Sequence, residues 1–325
     1  MTLDALGWSP RWQKEFEAHA TDGLLPGRVV GEHRSHYRVG TEVTELTAGT
    51  TGRLRNTALL RSDLPGVGDF VALRLAQGDG PATIEAILPR TSALVRKASG
   101  EPRPQLLAAN IDVVFIMTAL DGDFNVPRIE RYLELVRESG ATPVIVVNKA
   151  DLKNDVIGAT GQIEEIALSV PIHAISARDP DGARDLEQYF GGNRTVVLIG
   201  SSGVGKSTLT NQLLGRAAQA TQEVRAHDSR GRHTTTHRQL FIRPQGGAIV
   251  DTPGLRGLEV WNTSEASKDD FDDILALAAK CRFRDCRHDS EPACAVRAAV
   301  DRGELDAGRF ASYVKLGRAP LHSAR

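Results

Sequence analysis

An α/β architecture follows from three features of the sequence. Between residues 111 and 251 the apolar runs IDVVFIMTA, PVIVVNK, IHAISA, TVVLIG and GAIVD alternate with helical stretches such as VPRIERYLELVRESG, which is the pattern of a parallel sheet flanked by helices. Ahead of it, from Leu24 to about Arg90, short β-rich runs separated by turn residues predict a small barrel. Beyond Trp261 the pattern turns helical and contains every cysteine of the chain. A length of 325 residues suits two or three domains, expected at 1–92, 93–262 and 263–325.

Residues 1 to about 22 read as an amphipathic helix, with Leu6, Trp8, Trp12 and Phe16 on one stripe. The runs VVGEHRSHYRV, TEVTEL, DFVALRL and ATIEAIL give four or five short strands in roughly seventy residues, for which an OB-fold is the best-known solution. The segment from Arg96 to Pro104 has two prolines, a glycine and no apolar periodicity, so it reads as a linker. No stretch approaches the ~18 apolar residues of a membrane span, and the charged, tryptophan-bearing start does not resemble a secretory signal. A cytoplasmic protein without membrane contact is expected. The net charge of -1 leaves any nucleic-acid affinity to local basic patches.

Gly200, Ser201, Ser202, Gly203, Val204, Gly205, Lys206 and Ser207 match the phosphate-loop pattern GxxxxGK[ST] between an apolar strand and the helix that opens with Thr208. Glycines let backbone N–H groups wrap a phosphate chain, and the helix N-terminus adds positive potential. Lys206 is then placed to neutralise the β- and γ-phosphates, and Ser207 to ligate Mg²⁺. Asp251, in DTPG at the end of another strand, can hold the same Mg²⁺ through water, and the Gly254 N–H can sense a γ-phosphate.

Asn148, Lys149 and Asp151 form an NKxD pattern after the strand VIVV. A carboxylate such as Asp151 accepts two hydrogen bonds from N1–H and the exocyclic amine of guanine, a donor pair that adenine lacks. Lys149 can lay its stem along the base, and Asn148 can tie the base loop to neighbouring backbone. Ser176-Ala177 stands where GTPases carry an SA motif whose backbone N–H meets the guanine carbonyl. NKxD precedes the phosphate loop here, the reverse of the ordinary order, so the domain reads as circularly permuted. Chain order is free to change because geometry defines a site.

Cys281, Cys286, His288 and Cys294 give the spacing C-x4-C-x-H-x5-C. Three thiolates and one imidazole make the closed tetrahedral set of structural zinc. Between residues 24 and 97 ten Arg or Lys face seven Asp or Glu, with His33, His36 and Tyr37 interleaved, a small excess compatible with RNA contact. Arg282, Arg284, Arg287 and His288 within the cysteine cluster, with Lys315 and Arg318 near the end, are further candidates for phosphate contacts.

These motifs, with Arg96-Lys97-Ala98, Ala108-Ala109-Asn110-Ile111-Asp112 and Gly231-Arg232-His233-Thr234-Thr235-Thr236, closely resemble the RsgA (YjeQ or YloQ) family of circularly permuted GTPases that depend on the small ribosomal subunit. The resemblance implies a circularly permuted P-loop GTPase domain with an N-terminal OB-fold β-barrel and a C-terminal helical zinc-binding domain. It also implies GTP and GDP, Mg²⁺ and structural Zn²⁺ as ligands. The implied partners are the 30S subunit and its 16S rRNA, met by a monomer during late 30S maturation. By analogy Thr235 is the switch threonine over Mg²⁺, with Thr234 and Thr236 as alternatives. Leu255 stands where many GTPases carry the glutamine that orients the attacking water, and His233 is the nearest polar substitute by sequence. Two other readings stay open: a large-subunit GTPase, and an RNA-binding module in which hydrolysis is incidental.

Overall fold

The computed structural model describes residues 2–19, 23–33, 36–58, 60–76, 78, 80–97, 104–121, 124–152, 155–215, 238–251, 274, 277–283, 286, 288, 291–292, 294–305 and 310. Two compact units emerge, 1–98 with 103–258, and 99–102 with 259–325. His233, Thr235 with its neighbours Thr234 and Thr236, Gly254, Arg284, Arg287, Lys315 and Arg318 lie outside the described residues.

In the first unit the N-terminal helix α1 spans Pro10–Glu17, shorter than the sequence pattern suggests. Pro10 sits at its first turn, where a missing N–H costs nothing, while Leu6 and Trp8 belong to the turns before it. Trp12 and Phe16 bury against Phe70, Ala72 and Leu88 of the barrel, so the stripe does pack as its composition requires.

The barrel comprises β1 (Leu24–Glu32), β2 (Tyr37–Gly40), β3 (Glu45–Thr50), β4 (Phe70–Arg74) and β5 (Ala82–Ile87). β1 pairs with both β2 and β4, β3 runs parallel to β5, and β4 pairs antiparallel with β5, which closes the sheet in OB-fold order. Its interior is Val29, Val39, Ala48, Val71, Leu73, Ala82 and Ile84. A short helix α2 (Gly52–Thr57), whose N-cap Thr51 accepts from the Leu54 N–H, stands between β3 and β4 in the chain.

The segment read as a linker proves to begin and end in strands. β6 (Ala93–Lys97) pairs antiparallel with β7 (Pro104–Ala109), with Leu94 opposite Ala108. Pro104 falls at the first position of its strand, where the ladder needs no donor.

The parallel sheet follows: β8 (Val113–Ala119), α3 (Val126–Ser139), β9 (Thr142–Asn148), α4 (Val156–Ile166), β10 (Ile172–Ala174), β11 (Thr195–Gly200) and α5 (Lys206–Leu214), then the hairpin β12 (Gln239–Ile242) and β13 (Ala248–Asp251). α3 starts at Asn125, whose side chain accepts from the Arg128 N–H, and stops at Gly140 in the left-handed conformation. Strand order is β10-β9-β8-β11-β13-β12, and β12 continues by pairing Gln239 with Gly31 of β1, so barrel and sheet are one hydrogen-bonded surface.

Arg28 locks that junction. Its guanidinium donates to Gly68 O, Leu6 O, Asn110 O and Thr195 Oγ1 at 2.7–3.0 Å and lies over the Phe70 ring. Burial lowers its pKa to about 10, which still leaves it charged near neutrality. Asn110 Nδ2 also donates to Gly68 O, and Asp112 accepts from the Thr195 N–H.

In the second unit Ile274, Cys294, Val296, Ala299 and Leu305 form a small core beside α6 (Ala295–Asp301).

Candidate nucleotide site and metal centre

Parallel α/β sheets place their ligands at the carboxyl ends of the strands, where loops and helix N-termini converge. β9, β10, β11 and β13 all lead into predicted site residues at that edge. Gly200 ends β11 opposite Met117, and α5 begins at Lys206, so the phosphate-loop motif occupies the strand-to-helix turn. Gly205 has φ +105, and a Cβ there would lie 2.1 Å from Asn148 Nδ2, so both backbone conformation and space demand glycine. Ser202, Ser207 and Thr208 are exposed, whereas Val204 is fully buried and anchors the loop in the core. The Lys206 ammonium donates to Gly200 O at 2.7 Å and to Ser201 O, folded back over its own loop.

Asn148 is the hub. It is 2% exposed, donates from Nδ2 to Val204 O at 2.8 Å and accepts at Oδ1 from the Ala177 N–H at 2.9 Å. One side chain thus joins the NKxD turn, the phosphate loop and the Ser176-Ala177 turn. A guanine carbonyl would share or compete for the Ala177 N–H that Asn148 holds. Asp151 is solvent-exposed, and a hydrogen bond from Ser176 outweighs desolvation and, with its own backbone N–H and the charge of Arg178, holds its carboxyl below the usual range. It is therefore an ionised acceptor near neutral pH. Asp251 ends β13, the strand beside β11, and Ser207 lies in the first turn of α5, which follows β11; such oxygen donors suit Mg²⁺.

Sequence reasoning missed Asp121. It follows β8, and its carboxylate receives the Lys149 ammonium in an ion pair. No local pattern announces this contact between residues 28 positions apart.

In the second unit the ligating atoms of Cys281, Cys286, His288 and Cys294 all lie within 4.8 Å of one another. Cys281 Sγ is 3.9 Å from Cys294 Sγ, and His288 Nδ1 is 3.7 and 3.4 Å from those two sulfurs. Four ligands about 2.0–2.3 Å from a common centre give tetrahedral edges of about 3.5–3.8 Å, so the set fits one zinc-sized ion. Burial is the main cause that pushes the Cys286 thiol up to about 11, and it also lowers the His288 pKa. The cluster therefore favours neutral imidazole, as a metal does, while metal binding there must displace thiol protons.

The barrel carries a cavity of about 580 Å³ lined by Glu32, His33, His36, Tyr37, Thr50, Arg55, Arg61, Leu64 and Pro65. His33 and His36 stack with centroids 4.6 Å apart.

The family model for the RsgA GTPase matches residues 87–261. Among similar proteins, the small ribosomal subunit biogenesis GTPase RsgA of Opitutus terrae is 46% identical, the match covering 100% of this chain and 91% of the relative. The protein of the same name from Xanthomonas axonopodis pv. citri is also 46% identical, over 97% of this chain and 87% of its own. Among solved structures, YjeQ from Thermotoga maritima is similar with a TM-score of 0.55 and 29% identity, covering 90% of this chain and 97% of that one. YloQ, described as a circularly permuted GTPase, gives 0.52 and 27%, covering 91% and 95%.

Proposed function

Because the chain belongs to the RsgA GTPase family, we propose that this GTP-hydrolysing enzyme acts in the cytoplasm as a monomeric factor on the 30S subunit. There it hydrolyses GTP to GDP and phosphate during late maturation, stimulated by the subunit. The observation that carries the reading is Asn148, which joins the base-reading turns to the phosphate loop in a single constellation. Asp151 reads guanine, the loop from Gly200 to Ser207 wraps the phosphates, and Lys206 exchanges its loop carbonyls for phosphate oxygens. Ser207 and Asp251 hold Mg²⁺, which neutralises charge developing on the phosphates. Thr235 covers the γ-phosphate, Gly254 senses it, and His233 orients the attacking water. Cys281, Cys286, His288 and Cys294 hold one structural Zn²⁺. A closed set of four protein ligands leaves no position for a reacting water.

Contact with 16S rRNA is assigned to the barrel, where the cavity sets Arg55 and Arg61 beside His33, His36 and Tyr37, with Glu32 next to Arg61. OB-folds bind single strands on this kind of surface, through stacking and phosphate contacts. GTPase rate measured against added 30S, 50S and 70S tests the whole reading. Stimulation by 30S above the others is expected; stimulation by 50S alone would assign the enzyme to the large subunit, and none at all would leave a nucleotide-regulated binding module. His233→Ala should lower the 30S-stimulated rate by ~100-fold with GTP affinity retained, the range of a positioned acid-base group. Full stimulation of that variant would end the role given to His233.

A further inference from the structure

We infer that Asp121 is a positioning residue for guanine nucleotides: it sets the direction of the Lys149 side chain before a base arrives. The inference rests on the nucleotide reading of this edge. The backbone of Lys149 is fixed from both sides. Before it, Asn148 is buried and tied to Val204 and Ala177. After it, the Ala150 N–H donates to Ile175 O at 3.0 Å and the Leu152 N–H returns to Lys149 O at 3.0 Å. Lys149 itself has φ +61, a left-handed turn that throws its side chain off the strand direction.

A lysine stem has four rotatable bonds, so a fixed backbone alone leaves the ammonium free to wander. Asp121 removes that freedom. It lies two residues past the end of the neighbouring strand, where Ala119 pairs with Asn148 and the Leu120 N–H donates to Asn148 O at 3.0 Å, so the sheet brings it beside Lys149. Side chains of the pair are 29% and 34% exposed, which leaves the stem accessible as a wall for a base while the charged end is occupied. An ammonium oriented in advance lowers the ordering cost of binding, and a base-side contact senses GDP and GTP alike because neither differs there.

The test measures equilibrium binding of fluorescent GDP and GTP analogues, with steady-state hydrolysis, for the full chain carrying Asp121→Asn, Lys149→Met and both. Asp121→Asn keeps the shape and removes the charge. It should weaken GDP and GTP equally, by about five-fold, the worth of a partly exposed ion pair. KM should rise with kcat unchanged. In the Lys149→Met background, Asp121→Asn should add nothing, because no ammonium remains to position. A simple loss of fold would lower the melting temperature of nucleotide-free protein and would persist in that background. Additive losses, a loss for GTP alone, or no loss from Asp121→Asn would each overturn the inference. Failure of the parent itself to prefer guanine over adenine nucleotides would instead overturn the nucleotide reading, whatever Asp121 does.

Discussion

Asn148 and Cys294 both draw separate segments together, and the means differ. Asn148 reaches residues 29 and 56 positions away, and does so from inside a parallel sheet whose core includes Phe115, Val144, Val146, Val196 and Leu198. Its two hydrogen bonds are satisfied by protein backbone, so the nucleotide edge is set by the fold. Cys294 meets partners 6 and 13 positions away, and its described apolar neighbours include Ile274, Val296, Ala299 and Leu305. Its four side chains converge from a short stretch of chain, and the binding free energy of a structural metal in such a set is part of the folding free energy. A site set by its fold tolerates loss of its ligand, whereas a centre set by its ligand does not.

Metal removal should produce the largest effect. Structural zinc contributes an apparent ~10–16 kcal/mol in small domains. Strong chelation, or Cys286→Ser, should unfold the second unit while the sheet unit keeps its guanine affinity. Metal analysis of protein purified without added zinc should give about one ion per chain. Native circular dichroism and unchanged proteolytic resistance of residues 274–305 after complete metal removal would defeat the contrast.

Asp151→Asn comes next. It replaces two charge-assisted hydrogen bonds by a mismatch and should cost about 3–4 kcal/mol of GTP affinity while admitting xanthosine triphosphate. Unchanged GTP affinity would remove the carboxylate from the site. Gly205→Ala should cost about 2–4 kcal/mol, since a left-handed φ and a collision with Asn148 Nδ2 arise together. Its signature is that GTP binding and thermal stability fall in parallel, because the residue touches the hub that both require. A variant that binds GTP normally would mean the edge is less rigid than Asn148 suggests.

Much of this was legible in the sequence because each motif is short and local. Strand, loop, lysine and helix lie consecutively from Thr195 to Leu214, and the four Cys/His ligands fall within 14 residues. What escaped is long-range. Arg28 stands in the run from Leu24 to Val30 as one charge among apolar residues, and only its bonds to Leu6, Gly68, Asn110 and Thr195 show that it is a buried joint. The same joint explains the Asn110 and Asp112 positions, whose side chains bind backbone of the barrel and of β11 and not a nucleotide. The run from Arg96 to Pro104 read as a linker, yet its ends Arg96-Lys97 and Pro104 belong to the antiparallel pair β6–β7, whose partners no local pattern announces. Asp121 gave no signal, being one aspartate just past a strand, meaningful only once Ala119 is paired with Asn148.

The smallest expected effect probes how finely the fold tunes its nucleotide edge. Ser176 donates to Asp151 and holds that carboxyl below the usual range; a hydrogen bond to the ionised form does this because protonation would lose it. A depressed folded-state pKa contributes stability above the unfolded value and loses it as pH falls through the folded value. Asp151 is exposed, so the consequence is sought in binding. Guanine reading needs the carboxylate, so in the parent it should survive to a lower pH than in Ser176→Ala, where Asp151 returns toward the ordinary ~3.9. Near neutral pH both forms are ionised, and this effect disappears. The measurement is the ratio of GDP affinities, variant over parent, from pH 7 downward while circular dichroism shows both proteins folded; the ratio cancels protonation of the nucleotide itself. It should fall only toward the acid end, and a ratio constant with pH would show that Ser176 does not hold Asp151 in its reading state.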